Sequence, residues 1–203
     1  MLRQATYDDS VFVNSPFDQQ YARLLRAIVF TIYKCGFVPK SALGEDNALD
    51  NRLDKINRII EECRYGIHDI SRIELNKKRL PRFNMPFELG IFVGAKRFGD
   101  TVQKNKNALI FEKTKYLYQE YISDINGIDT KAHNNDPEMA IRNIRDWLKT
   151  ASRRASIPGP AVIIKEYNKF QKNLPGILKP LGFKIDEIPF NDYCTIVEEA
   201  LSL

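Results

Sequence analysis

The chemistry-bearing residues of this 203-residue chain gather in three short stretches. They are Asn14-Ser15-Pro16-Phe17-Asp18, then Asp69 with Ser71 and Arg72, then Arg82-Phe83-Asn84-Met85-Pro86-Phe87-Glu88-Leu89-Gly90. Asn84 is a good capping type and Pro86 is tolerated in a first turn, so Glu88 is expected in or just past that turn. There the partial positive end of the helix favours a carboxylate, and Phe87, Leu89 and Phe92 flank it with apolar surface. A rigidly held, partly desolvated carboxylate suits catalysis; the same placement suits a plain N-terminal charge. Gly90 and Gly94, four apart, suit either close approach of a sheet or ligand, or packing. Asp69, at the end of an apolar run, can accept from ribose hydroxyls or cap the turn that follows. His68 alternates with it and is expected on the opposite face, toward core or helix.

The elements that must hold these residues follow from hydrophobic periodicity. Val11-Phe12-Val13-Asn14 reads as a strand stopped by Ser15-Pro16, and Tyr21, Leu24, Leu25, Ile28 and Ile32 mark a helix that Gly36 ends. Phe37-Val38-Pro39 is a weak strand suited to a sheet edge, because proline removes a ladder donor. Leu53, Ile56, Ile59, Ile60 and Cys63 form an amphipathic helix, residues 65–71 a third strand, a helix starts near Asn84, and residues 107–111 are a fourth strand. Such alternation predicts an α/β fold: a doubly wound, flavodoxin-like parallel sheet. In strand order 2-1-3-4-5, ligands bind beyond the carboxyl ends of strands 1 and 3, where all three stretches converge.

Residues 1–114 form this nucleotide-binding core, and residues 115–203 a mainly helical extension of the same domain. The polar segment 115–135, with His133 and Asn134, is either a lid touching ligand or a turn-rich surface loop. Helices are expected from Pro137, over about 159–174 and over about 190–201, with 184–188 a strand or a connection. Arg142, Arg145, Lys149, Arg153 and Arg154 make one helix basic, as a solvated face or a partner interface.

Composition narrows the classes. A net charge of +5 is mild, and it fits nucleotides as well as nucleic acid. No apolar run is long enough to span a bilayer, and residues 1–10 lack the core of a signal peptide, so a soluble, cytoplasmic protein is expected. Three scattered cysteines predict reduced, buried thiols, and two histidines give no metal cluster. No nucleic-acid reader motif is present, which leaves that partner unfavoured.

Val11-Phe12-Val13-Asn14-Ser15-Pro16-Phe17, an Asp after the third strand, and Asn84-Met85-Pro86-Phe87-Glu88-Leu89-Gly90 together resemble nucleoside 2-deoxyribosyltransferases and the related TIR-like domains. The resemblance covers about residues 9–112. It implies attack on an N-glycosidic bond, with Glu88 as catalytic carboxylate, Asp69 orienting sugar or base, and Asn84 holding Glu88 or a ribose hydroxyl. Substrate contacts are expected from Asn14, Ser15, Pro16, Phe17, Asp18, Ser71, Arg72, Arg82 and His133. The pattern departs from the transferases at Met85-Pro86-Phe87 and in the basic segment Arg72, Lys77, Lys78, Arg79 and Arg82. Those departures favour a phosphorylated ligand, a nucleotide or NAD, over a free nucleoside. No cofactor is implied; NAD enters only as a substrate. TIR-like domains also imply self-association, and an alternative role as a non-catalytic nucleotide sensor or assembly module in bacterial antiviral defence.

Overall fold

Val11, Phe12 and Val13 project alternately from a five-stranded parallel sheet whose two faces are both covered. The computed structural model describes residues 5–72 and 83–202. The strands are β1 (Ser10–Asn14), β2 (Val38–Lys40), β3 (Tyr65–Asp69), β4 (Asn107–Glu112) and β5 (Lys131–Ala132), in order β2-β1-β3-β4-β5. Around them lie α1 (Ala22–Lys34), α2 (Arg52–Glu61), α3 (Asn84–Phe98), α4 (Pro137–Ser152), α5 (Pro160–Leu181) and α6 (Phe190–Ser202). The expected doubly wound, flavodoxin-like α/β fold is therefore what the chain adopts.

Period-two alternation sorts the core. Val11, Val13, Tyr65, Ile67, Leu109 and Phe111 share one cluster with α1, α4, α5 and α6. Phe12 faces the other way, against Ile56, Ile59 and Ile60 of α2 and Phe92 of α3. Every residue of β1 and β3 is buried, as central parallel strands require. Because Ile144, Ile163, Phe170 and Val197 belong to the larger cluster, the helical extension completes the core.

Several boundaries differ from the periodicity. β3 ends at Asp69, and β2 is shifted one residue to Val38–Lys40 at the sheet edge. β5 has only two residues, too few for any alternation to announce it, yet it pairs Glu112 with Ala132. The segment 184–188 is a connection, not a strand. α5 runs on past Pro175 and Pro180 to Leu181, with Leu174 and Leu178 buried in the core. That burial offsets the roughly 3 kcal/mol an interior proline costs.

The basic helix has an internal use. Arg145 donates to the carbonyls of Pro158 and Ile157, and Lys149 to that of Arg154. Arg154 reaches Gly36 O and pairs with Asp9. Three of the five cations thus tie α4 to neighbouring chain. Cys35, Cys63 and Cys194 are free and buried, and burial pushes each thiol up to about 12.

Candidate functional site

The carboxyl edge of the sheet carries two polar clusters, one on each face. The first lies on the α2–α3 side. Asn14, the last residue of β1, donates through Nδ2 to Met85 O at 2.9 Å and lies 3.1 Å from His68 Nδ1. Since a carbonyl only accepts, the Asn14 amide orientation is set, and His68 Nδ1 must accept as well. The proton of neutral His68 therefore sits on Nε2, in a pocket walled by Phe12 and Phe92. Burial, helped by Lys106, pushes His68 down to about 3. Its place away from Asp69 agrees with strand alternation.

Acid should expose that histidine's strain. The unfolded chain takes up a proton near pH 6.5 and the folded chain refuses it until about pH 3, so stability falls as pH falls through that window. Between pH 7 and pH 4.5 the loss due to His68 should be about 2 kcal/mol. Unfolding free energies from denaturant melts at the two pH values are expected to differ less, by about that amount, in His68→Leu.

Met85 belongs to the first turn of α3, and Glu88 stands one turn further on. Glu88 is only 4% exposed, and its Oε1 lies 3.9 Å from Nη2 of Arg52 at the start of α2. Burial raises its carboxyl to about 7, with Arg52 opposing the rise in part. Asn14 Oδ1 is buried and has no hydrogen-bond partner among the described residues. Asn84 does not cap α3. It is the first helical residue and exposed, and the cap position falls to Phe83, which makes no side-chain cap bond. Gly90 and Gly94 meet nothing within 4 Å of where a Cβ would stand, so no close approach of the sheet explains them.

The second cluster, on the α1–α4 side, centres on Asp69, which is fully buried. Its Oδ1 accepts from Ser71 N at 2.8 Å, which is the turn-capping use. Its Oδ2 accepts from Tyr21 Oη and lies 3.0 Å from His133 Nε2, close but off the line of the ring N–H. His133 is itself fully buried, with Nδ1 accepting from Asn135 N at 3.0 Å. Its nearest acidic neighbour is Asp69, and its burial sets it apart from a surface turn. Burial first, then Asp69, pushes the Tyr21 phenol well above its ordinary value, so it stays a donor. Asp18 binds Arg72 at 2.8 Å and also caps Tyr21 N, tying the β1 loop to the chain after β3. Ser15 and Pro16 are buried in that loop, while Phe17 is partly exposed. Arg82 lies outside the described residues, as do Lys77, Lys78 and Arg79.

A third carboxylate, Glu112 at the end of β4, escaped the sequence reading. It accepts from Thr130 Oγ1, from Tyr118 N at 2.7 Å and from Tyr116 N at 3.2 Å. These bonds hold the segment 115–130 across the edge, where Tyr118, Ile122, Ile125 and Ile128 pack on Met85 and Leu89 of α3. Glu112→Ala should strand those donors and cost about 2–3 kcal/mol of unfolding free energy, read from a denaturant melt. Tyr21 and Arg52 were also missed. Tyr21 reads as one more apolar helix residue, and Arg52 is separated from Glu88 by 36 residues, with only the α2–α3 packing to join them.

Among the described residues no group of three or more His, Cys, Asp or Glu side chains is arranged to hold a metal. No described helix is long and apolar enough to cross a membrane. No family model, curated protein or solved structure matches the chain.

Proposed function

We propose that this protein cleaves the N-glycosidic bond of a nucleotide-type ligand, NAD among them, with Glu88 as the catalytic carboxylate. The observation that carries the proposal is the state of Glu88: a nearly buried carboxyl raised to about 7 at the strand-order switch of a 2-1-3-4-5 sheet. A structural surface charge has no cause to be desolvated there. Asn14 Oδ1 adds a buried acceptor without a partner among the described residues, suited to a sugar hydroxyl.

The chemistry is a displacement at the anomeric carbon. As the C1–N bond breaks, its electron pair leaves with the base, and positive charge develops on the sugar ring. The Glu88 carboxylate stabilises that charge or bonds to C1, and water or a second acceptor then takes the sugar and frees the carboxylate. Arg52, 3.9 Å away, favours the ionised form. Asp69 serves the reaction by positioning: it locks Tyr21, Ser71 and His133, and so fixes both edge loops.

Purified protein incubated with NAD and a panel of nucleosides and nucleotides is expected to release free base, followed by chromatography. Because the carboxylate must be ionised, kcat/KM should rise with pH and reach half its plateau near pH 7. Binding of these ligands with no base released, at high protein concentration, would assign the pocket to a nucleotide sensor instead.

A further inference from the structure

A cavity of about 480 Å³ lies on the α1 side of the sheet, away from Glu88. It is bounded by Phe17 and Asp18 of the β1 loop, Leu25 and Arg26 of α1, Leu43, the segment Ile185–Pro189, and Phe190 and Tyr193 of α6. Its size falls in the range of small-molecule sites, and its walls have the mixture such sites use: mostly apolar and aromatic, with few polar groups.

Those walls are tied together. Arg26 Nη1 donates to Ile185 O at 3.3 Å, Tyr193 Oη donates to Arg26 O at 3.1 Å, and Asn191 Nδ2 to Gly44 O at 2.8 Å. The cavity is therefore pre-formed by α1, α6 and the chain after β2. Its charge balance is informative. Asp18 is already paired with Arg72, and Asp186 is exposed at the rim. Among the described residues Arg26 makes no ion pair, and its Nε is buried with no hydrogen-bond partner. Arg26 is the one basic residue among those lining the cavity, beside Asp18 and Asp186, and its planar fork suits a carboxylate or phosphate.

We infer that this cavity is a second ligand site, for a small molecule with a flat aromatic body and one anionic group that engages Arg26. The aromatic body lies among Phe17, Leu25, Phe190 and Tyr193, and the anion pairs with Arg26. This site stands independently of the glycosidase reading. Two sources share the chemistry, a nucleoside monophosphate and an aromatic carboxylate.

Isothermal titration with AMP against adenosine, and with indole-3-acetate against 3-methylindole, tests it. At least one anionic probe is expected to bind about tenfold or more tighter than its neutral partner, as a charge-assisted hydrogen bond would give. Arg26→Met should erase that preference and Arg26→Lys should retain much of it. Leu43→Trp, at a half-exposed wall position, should weaken every probe by filling the space. Circular dichroism identifies any variant that fails to fold, and the remaining variant then decides. Preference for AMP or for indole-3-acetate names the source. No binding by any probe up to millimolar concentration, or binding that the folded variants leave unchanged, overturns the inference. Glu88→Gln should leave the indole-3-acetate titration unaltered, and AMP held beside Glu88 would be insensitive to Arg26→Met, so the two sites fail or stand separately.

Discussion

Glu88→Gln is expected to lower base release at least about a hundredfold while making the folded protein more stable at pH 8. The two effects have one cause. Burial raises the Glu88 carboxyl from its unfolded value of 4.5 to about 7. Between those values the folded state keeps a proton that the unfolded state has released, so stability falls as pH rises from about 4.5 to about 7. Above pH 7 the full cost of the buried charge is present. That net shift, with the opposition of Arg52 already in it, sets the cost at about 1–3 kcal/mol. Glutamine has nothing to ionise and keeps the shape. The variant's melting temperature should therefore exceed the parent's by about 3–8 °C at pH 8, and the gap should close near pH 4.5. A residue serving only as a favourable N-terminal charge behaves oppositely: its neutralisation costs about 0.3–1 kcal/mol. Melting curves at pH 4.5 and pH 8 separate the two roles, even before a substrate is in hand.

Asp69→Ala should be the most destabilising of the edge substitutions, by about 3–5 kcal/mol. The loss strands the Tyr21 hydroxyl and the Ser71 N–H in a buried site and removes the charge beside His133 Nε2. Each buried group left without a partner costs about 1–3 kcal/mol. Asp69→Asn keeps the shape and the Oδ1 acceptor for Ser71, and should cost less. Urea unfolding of the two variants checks the ordering. If Asp69 were instead a ligand carboxylate held apart from the protein, both changes would leave the urea midpoint where it was or raise it, and only activity would fall.

The two clusters show how far one-dimensional reasoning reaches. Strand alternation alone separates His68 from Asp69, because successive side chains leave a strand on opposite faces. The same rule places Asn14 with His68 rather than with Asp69, given the observed register of Asn14 against His68. A single pocket shared by Asn14, Asp69 and Glu88 was the expectation. The register divides it: Asn14 and His68 join α3's first turn, and Asp69 joins Tyr21 and His133. Asn84 shows a different limit. Its capping propensity is real, but the chain enters α3 one residue earlier, and the residue at Phe83 has no side chain that can cap. Propensity is a local preference of about 1 kcal/mol, which the packing of Met85, Leu89 and Phe92 overrides.

What the amino-acid order determined by itself is the parallel α/β architecture, the loops at its carboxyl edge, and Glu88 just past the first turn of a helix. Those follow from periodicities of 2.0 and 3.6 and from proline and glycine stops, which act within a few residues. Only the tertiary structure decided the partners. The Arg52–Glu88 approach, the Tyr21–Asp69–His133 cluster, the Thr130–Glu112 bond and the cavity beside Arg26 join residues 18 to 167 positions apart. Burial and charge compensation at such separations are set by how helices pack on the sheet, and no local pattern encodes that packing.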